Sequence, residues 1–385
     1  MRNQQSKIHL SKAYNIPFHQ STLTEGEVTA VQEAVSNGNW IKESEHSKQF
    51  FKKYYPDSTS FFTNSCSSSL EMAIRILGIG AGDEVIIPGF GYVAVANAIV
   101  NNGATPVFAD VVLINGNIDV QSVEANISSR TKAVIAIHYA GNPFDIDALD
   151  QLCRNKKIYL IEDAAQCIGS TYQNKALGSF GHLACLSFDY MKNISCGHGG
   201  LLIVNDQSLL QKVQSAFDNG TNRQALAEGK QKQFDWVSKG SNNQINPIAS
   251  HFLYPQLVQC EQITKSRIQK WNLYCRLLTP LFEKGKISLP IVEITHNAHI
   301  FYLVTHSEEE RNELRNYLRG KGIFSEQHYS FLPETSFGKQ FPFVRERLQN
   351  SERLCSQLLR LPLSHHISEK DIEIVAANIM EYFTT

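Results

Sequence analysis

Short apolar runs alternate with helix-like stretches from residue 60 to about residue 205. Short apolar runs bounded by turn residues are typical of buried strands. The pattern predicts seven strands, at residues 60–63, 84–87, 105–109, 132–137, 158–162, 184–188 and 201–205. Helices are predicted between them, including 68–77 and 93–102. This rhythm indicates an α/β fold, in which a large domain is built on a mostly parallel seven-stranded sheet sandwiched by helices.

The second half of the chain has a different pattern. Residues 247–282 read as helical, with a kink or restart expected at Pro255, because proline cannot donate the helical hydrogen bond. A strand and two helices are predicted at 298–305, 308–321 and 369–383. We therefore predict a large domain over residues 1–250, with an N-terminal segment that packs on a smaller domain. A linking helix and a small C-terminal α+β domain would occupy residues 251–385.

Composition and charge narrow the classes of function. The 385 residues include 36 basic and 37 acidic side chains, and no basic run predicts binding to nucleic acid or to an anionic membrane. Residues 1–10 have no apolar signal segment and no apolar run is long enough to span a membrane, so we expect a cytoplasmic protein. The 8 cysteines and 13 histidines lack metal-site spacings, which predicts reduced thiols and no metal. A small-molecule partner is the remaining interpretation.

Small and polar residues stand where predicted strands end, which is where open α/β sheets bind ligands. The first such segment, 63–69, opens a helix whose amides would suit a phosphate, although N-capping by serine is a commoner reason for such a run. The second, 161–166, ends a strand in Glu162 and Asp163. A buried carboxylate here would need a cation, whereas in the simpler interpretation one acid caps a helix and the other is solvated.

The third segment places Lys192 between the strand 184–188 and the glycine-rich residues 197–200. A lysine in a partly apolar setting can have a lowered pKa and attack an aldehyde as the neutral amine, whereas an isolated lysine is usually solvated. The fourth segment offers Tyr92, whose ring could stack on a flat cofactor or fill the core. An acid, an amide, serines and a lysine at successive strand ends together favour pyridoxal phosphate (PLP), whose protonated ring nitrogen pairs with a carboxylate.

On these residues the sequence resembles the DegT/DnrJ/EryC1/StrS family of sugar aminotransferases, which are fold-type I PLP-dependent transferases. The resemblance runs from Ile16 to Leu363, with motifs in the family's order and at family-like spacing. The matching motifs are residues 65–66, 69–73, 138–141, 162–166, 220–223 and 297–299. Within the family, the motifs are most similar to those of transaminases that make a dTDP-linked 4-amino-4,6-dideoxy sugar.

The resemblance assigns roles around the cofactor ring. It implies that Lys192 forms the covalent bond to PLP, which alternates with pyridoxamine phosphate during the reaction. It implies that Asp163 pairs with the pyridine nitrogen and that Gln166 contacts the ring hydroxyl. Tyr92 would stack on the ring.

The resemblance also assigns the phosphate contacts. They would come from the amides of Cys66 and Ser67, the Ser67 hydroxyl and Ser187. Asn242 matches an asparagine that reaches the phosphate from the neighbouring subunit, so a homodimer with shared active sites is implied.

The reaction implied by the resemblance moves an amino group from L-glutamate to a nucleotide-linked keto-deoxy sugar. The first candidate acceptor is C4 of dTDP-4-dehydro-6-deoxy-glucose, in the biosynthesis of a surface polysaccharide such as the lipopolysaccharide O-antigen. Amination at C3, a UDP-linked acceptor and a catalytically weak PLP-binding paralogue are the alternatives. Related sugar dehydratases carry histidine at the lysine position, and Lys192 argues against that activity.

Several positions depart from the family pattern. Asp189 stands where the family usually has histidine, and His198 stands where it has glutamate. Asn243 and Gln244 replace an aromatic residue and an arginine. Residues 37–45 and 331–333 also differ. The changes cluster where the nucleotide sugar should sit, which indicates either a changed sugar or nucleotide or a relaxed constraint in a weakly active paralogue.

Overall fold

The computed structural model describes residues 14–291 and 296–384. The N-terminal stretch 1–10, for which we predict no signal segment, lies outside the described residues. Within the described part of the chain, no helix is both long enough and apolar enough to cross a membrane.

Seven of the described strands form one large sheet, and all seven were predicted from the sequence. In chain order the strands are β1 (Thr59–Thr63), β2 (Glu84–Pro88), β3 (Thr105–Ala109), β4 (Thr131–Ile137), β5 (Tyr159–Asp163), β6 (Thr171–Tyr172), β7 (Lys175–Ala176), β8 (Leu183–Ser187), β9 (Gly200–Val204), β10 (Phe301–Val304), β11 (Glu326–Gln327) and β12 (Leu358–Leu361). The large sheet has the order β1-β9-β8-β5-β4-β2-β3. Only β9 runs opposite to the other six strands of this sheet, so the mostly parallel sheet is confirmed.

Helices cover both faces of this sheet. In chain order the described α-helices are α1 (Glu27–Ser36), α2 (Glu45–Tyr54), α3 (Cys66–Ile76), α4 (Val93–Val100), α5 (Val120–Asn126), α6 (Ile146–Lys156), α7 (Leu210–Phe217), α8 (Arg223–Ala227), α9 (Pro247–Val258), α10 (Cys260–Glu283), α11 (Glu308–Gly320), α12 (Gln349–Gln357) and α13 (Glu369–Thr384). Alternate residues of a strand point to opposite faces. In β4, Val134 and Ala136 pack in the cluster with α2, α5, α6 and α9, whereas Ala133 and Ile135 pack in the cluster with α3, α4 and α7.

A second sheet stands beside the large one. Its antiparallel strands have the order β10-β12-β11, and α10, α11 and α13 pack on one of its faces through a separate apolar cluster. The N-terminal segment joins this unit, because Ile16 forms a parallel bridge with Ile323 and its N–H donates to the Gly322 carbonyl at 3.0 Å. The division into domains at residue 250 stays a prediction.

The predicted helix over 247–282 is present, but it breaks at a different point. Helix α9 continues past Pro255 to Val258, and the break comes at Gln259, where φ is −95° and ψ is 8°. Proline removes one N–H and crowds the carbonyl four residues earlier, which weakens a helix without always ending it at once. Gln256, in the turn after the proline, is buried and holds the chain there, since its side chain accepts from the Ser195 N–H and donates to the Thr22 carbonyl.

Candidate active site

The strand ends singled out in the sequence meet at one edge of the large sheet. Gly200, the first residue of β9, is opposite both Thr63 at the end of β1 and Ser187 at the end of β8. Asp163, the last residue of β5, is in register with Cys185 of β8. Parallel strands end at the same edge, so Asp163, Ser187 and the start of α3 are near neighbours.

Both predictions for residues 63–69, serine N-capping and free helix amides for a phosphate, fit the start of α3. Ser65 is the N-cap, and its hydroxyl accepts a hydrogen bond from the Ser68 N–H at 3.1 Å. Cys66 and Ser67 are the first two helical residues, so their N–H groups have no carbonyl acceptor within the helix. Capping therefore leaves these two amides available, at the positive end of the helix dipole, for an anion.

Gly200 allows the sheet to approach these amides closely. A Cβ at this position would lie 2.5 Å from the Cys66 nitrogen and 2.4 Å from the Ser65 carbonyl carbon. Any side chain here would push the helix start away from β9. The glycine thus brings the free amides of α3 to the same edge as Ser187, as a phosphate cradle requires.

Asp163 is a buried carboxylate with a single amide donor. Its Oδ1 accepts from the Ala165 N–H at 3.0 Å, and 6% of the residue is exposed. Burial raises the pKa of Asp163, while the Ala165 N–H, Lys192 and His138 lower it. A cation placed beside this carboxylate would hold it in the charged form.

A tight turn after β8 presents Lys192. The Asp189 N–H donates to the Ser187 hydroxyl at 3.3 Å, the Met191 N–H donates to Asp189 Oδ1 at 3.0 Å, and the Lys192 N–H donates to the Asp189 carbonyl at 2.9 Å. Burial lowers the pKa of Lys192, and Arg360 adds to that effect, while Cys66, Asp163 and Asp189 oppose it. A lysine with a lowered pKa has more of the neutral, nucleophilic amine near neutral pH.

Two of the departures from the family pattern lie together. His198 Nδ1 is 3.6 Å from Asp189 Oδ2, and the histidine side chain is 81% exposed. Histidine and carboxylate are therefore both present here, at positions exchanged relative to the family pattern.

Glu162 has a structural role. It is fully buried, its Oε1 accepts from the Phe180 and Gly181 N–H groups, and its Oε2 accepts from the Gly178 N–H. The Oε2 atom is also 2.8 Å from His138 Nε2. Glu162 therefore stabilises the fold, whereas Asp163 remains available for a ligand, and neither acid is solvated.

Replacing Glu162 with glutamine is expected to lower the free energy of unfolding by about 3 kcal/mol, because either orientation of the amide turns an NH₂ toward a buried N–H donor. Urea unfolding followed by circular dichroism measures the loss. Glu124→Gln, at an exposed position of α5, is the matched control and should change little. A loss below about 1 kcal/mol for Glu162→Gln would contradict the structural role.

Gln166 and Tyr92 line the same edge. Gln166 accepts from the Ala140 N–H and donates to the Tyr329 hydroxyl, both at 2.7 Å, so one of its amide hydrogens is left for a ligand. Tyr92 is the N-cap residue of α4 and is 60% exposed, and its ring is 6.4 Å from the Tyr329 ring. An exposed aromatic ring at this edge is free to stack on a flat group.

Asn242 lies next to Asn64, the residue before the N-cap of α3. It is exposed, and its carbonyl accepts a hydrogen bond from Asn64 Nδ2 at 3.5 Å. Together with Lys42, Asn64 and Gln244 it lines an open cavity on the surface. The structure of one chain thus brings together Lys192, Cys66, Ser67, Asp163 and Ser187, with Gln166 and Tyr92 at the same edge and Asn242 exposed beside Asn64.

Three further residues, to which we assigned no role from the sequence, hold this edge in shape. Asn297 Nδ2 donates to the Gln166 and Ile168 carbonyls at 2.7 and 2.9 Å, and Asn193 Nδ2 donates to the Asn297 carbonyl at 3.0 Å. His299 Nδ1 lies 3.0 Å from Asn193 Oδ1. Ala298 between them has a φ of 49°, a strained value for a residue other than glycine. The family-like motif at residues 297–299 marked this segment in the sequence, but the motif alone does not show which residues it contacts.

Comparison with known proteins agrees with this geometry. Residues 21–380 match the sequence model of the DegT/DnrJ/EryC1/StrS aminotransferase family. The chain belongs to this family. It is 29% identical to the GDP-perosamine synthase of Escherichia coli O157:H7, over 96% of this chain and 99% of that protein. It is 28% identical to the dTDP-4-dehydro-2,3,6-trideoxy-D-glucose 4-aminotransferase of Saccharopolyspora spinosa, over 94% and 95% of the two chains.

Solved structures of other aminotransferases share the fold. The PLP form of the Streptococcus pneumoniae sugar aminotransferase Spr1654 superimposes with a TM-score of 0.86 at 25% identity, over 94% of this chain and 97% of that one. The PMP form of the same protein superimposes with a TM-score of 0.87. The aminotransferase of Psychrobacter cryohalolentis gives a TM-score of 0.87 at 26% identity, over 96% and 99%. The fold is that of the PLP-dependent aminotransferases, and the protein is a PLP-dependent sugar aminotransferase.

The residues at the sheet edge fit PLP. Asp163 is a buried carboxylate that needs a cation, the α3 amides are free for a phosphate, and Lys192 is an amine with a lowered pKa. Gly200 leaves room where a Cβ would collide with the helix start. These observations are independent of one another and all match one ligand.

Proposed function

We propose that this enzyme moves the amino group of L-glutamate to C4 of dTDP-4-dehydro-6-deoxy-glucose, for a surface polysaccharide such as the O-antigen. Amino transfer is supported above all by the grouping of Lys192, Asp163 and the α3 amides at one sheet edge. PLP, when bound, supplies an electron-withdrawing ring that accommodates the electrons left when a carbon–hydrogen bond of the donor breaks.

The chain's own residues would divide the remaining work. The Cys66 and Ser67 amides, the Ser67 hydroxyl and Ser187 would bind the phosphate. Asp163 would hold a proton on the pyridine nitrogen, since a buried carboxylate is stabilised by a cation beside it.

Lys192, Tyr92 and Gln166 would act on the ring and the substrate. Lys192 would bind the cofactor covalently between turnovers, and its Nζ would carry a proton from the donor α-carbon and deliver a proton to the sugar carbon. Tyr92 would stack on the ring, and the free amide hydrogen of Gln166 would donate to the ring hydroxyl.

A homodimer with shared active sites is part of the proposal. Asn242 is exposed and lines an open surface cavity, so its side chain is accessible to a neighbouring subunit. Large apolar side chains, including Trp40 and Trp236, are 52% and 75% exposed in the single chain. Tryptophan is enriched in protein–protein interfaces relative to the rest of the surface. Analytical ultracentrifugation that finds only a monomer would contradict this assembly.

The choice of acceptor rests on the relatives. The Saccharopolyspora relative is named as a 4-aminotransferase of a dTDP-linked sugar, which supports C4 and dTDP. The Escherichia relative, at a similar identity, is named for a GDP-linked product, which makes a GDP-linked acceptor the second candidate. C3 amination, a UDP-linked acceptor and a weakly active paralogue are the further alternatives.

A panel of acceptors tests the proposal. Purified enzyme with PLP and L-glutamate is offered dTDP-, GDP- and UDP-linked 4-keto sugars and the dTDP-linked 3-keto isomer, and the products are analysed by NMR. We expect amination at C4 of the dTDP-linked sugar, with a kcat/KM at least about 10-fold above the others, since one mismatched contact has roughly that effect. A preference for GDP would move the assignment to the second candidate. Turnover of no acceptor, despite conversion of bound PLP by glutamate, would favour the weak paralogue.

A further inference from the structure

Arg360 points from the small sheet toward the active-site edge. It lies on β12, between β10 and β11. Its neighbours Leu359 and Leu361 pack in the core with α10 and α13, whereas Leu358 packs in a different cluster, with Phe90 and Tyr139 of the large domain. Strand residues alternate between faces, so Arg360 shares the face of Leu358.

The residues around Arg360 connect it to the Lys192 turn. Its guanidinium lies over the Phe18 ring, 4.7 Å from the centroid. Next to Phe18, His19 Nε2 lies 2.9 Å from the carbonyl oxygen of Tyr190, two residues before Lys192. On the neighbouring strand, Tyr302 is directly opposite Arg360.

The aromatic residues on the other side of Arg360 also belong to the active site. The Tyr302 ring is 5.9 Å from that of Tyr139, whose hydroxyl is 2.7 Å from His328 Nδ1. His328 stacks on Tyr329, the hydrogen-bond partner of Gln166. Arg360 therefore lies between the Lys192 turn and the aromatic wall that holds Gln166.

Arg360 has no carboxylate partner among the described residues. Its Nε is buried and makes no hydrogen bond there, and none of the ion pairs in the described ranges includes it. The carboxylate opposite it in register is Glu326, which is engaged by Arg315 and Arg319. Burial lowers the pKa of Arg360, and a guanidinium held this way is costly unless an anion joins it.

We propose that the Arg360 guanidinium binds a carboxylate of the amino donor in this active site. The proposal rests on the proposed function, in which a dicarboxylic amino acid is the donor. A planar guanidinium matches a carboxylate with two parallel hydrogen bonds, and the neutral keto-sugar ring offers no such group. The charge of Arg360 also lowers the pKa of Lys192, which agrees with the placement of both groups at this edge. Arg360 thus selects the donor, as a substrate-binding residue rather than a cofactor ligand.

Binding of glutarate, an unreactive dicarboxylate, tests the contact without turnover. Isothermal titration calorimetry on the PLP-loaded enzyme should show that Arg360→Gln weakens glutarate binding by about 10- to 100-fold, the range for a lost charge-assisted hydrogen bond. Arg360→Lys, which keeps the charge but not the paired geometry, should lie between. Arg353→Gln, at an exposed arginine of α12, is the matched control and should bind like the wild type.

A second readout separates donor recognition from a structural role. In Arg360→Gln the KM for glutamate should rise, whereas the reverse half-reaction with the amino sugar and the PLP content should be unchanged. Equal loss in both half-reactions, or loss of PLP, would overturn the proposal in favour of a structural role. Glutarate binding that is unaffected by Arg360→Gln would also overturn it. If the wild-type enzyme binds no glutarate and glutamate does not convert its PLP, glutamate itself is the wrong donor and the proposed function fails first.

Discussion

Replacing Lys192 with alanine is expected to reduce kcat by about 10⁴-fold, the upper range for loss of one positioned acid–base group. Lys192 is the amine at this sheet edge whose pKa is lowered by burial, so it can both bind the cofactor aldehyde and move protons. Phosphate contacts from α3 and Ser187 should keep PLP bound without the covalent link. The loss should therefore appear in kcat more than in cofactor content.

Borohydride reduction followed by peptide mass spectrometry provides the direct test of attachment. The wild-type protein should be labelled at Lys192 and the Lys192→Ala variant should remain unlabelled, although it still holds PLP. Lys175→Ala, on the exposed β6-β7 hairpin, is the matched control and should behave as the wild type. Added methylamine should restore part of the activity of Lys192→Ala, because it replaces the missing amine. Labelling at another lysine, or full activity without Lys192, would contradict its role.

The pH dependence of covalent PLP attachment follows from the lowered pKa of Lys192. Because the folded-state pKa of Lys192 is lowered, the neutral amine forms at a lower pH than for a free lysine. The rate at which apoenzyme takes up PLP covalently should rise with pH and level off below the ordinary lysine pKa of about 10.4. Stopped-flow absorbance from pH 6 to pH 10 measures the midpoint.

The large sheet could be predicted from the sequence because its strands are buried on both faces. Such strands are continuous apolar runs, as in 133–137, and their pattern does not depend on distant contacts. The two-residue strand β11 leaves no comparable pattern, since it exists only by pairing with β12. The break at Gln259 rather than at Pro255 has the same cause, because buried contacts of Gln256 hold the chain past the proline.

The residues of the candidate site that directly follow strands could be predicted from the sequence. Lys192, Asp163 and the start of α3 stand directly after buried strands, so topology alone places them at one edge. Arg360 was not predictable, since a single arginine in Leu358–Leu361 reads as the solvent face of a strand. Only the docking of the small sheet on Phe18 and Tyr139 reveals that this face is covered.

Replacing Asp163 with asparagine is expected to lower kcat by about 10²- to 10³-fold, the usual cost of removing one preorganised electrostatic contact. The asparagine keeps the size of the side chain and can still accept from the Ala165 N–H. It cannot hold a proton on the ring nitrogen by charge, so the ring withdraws electrons less well. The phosphate contacts are untouched, and PLP content should change little.

A cofactor analogue isolates this contact from any structural effect of the substitution. In 1-deaza-PLP a carbon replaces the pyridine nitrogen, so no proton remains for Asp163 to hold. Wild-type enzyme loaded with the analogue and Asp163→Asn loaded with PLP should both be slow, and the combination should be little slower than either alone, because both changes remove one interaction. Additive losses would mean that Asp163 acts elsewhere. Since the Asp163 charge raises the pKa of Lys192, Asp163→Asn should also move the midpoint of covalent PLP uptake to lower pH, a shift that a merely loosened site would not produce in that direction.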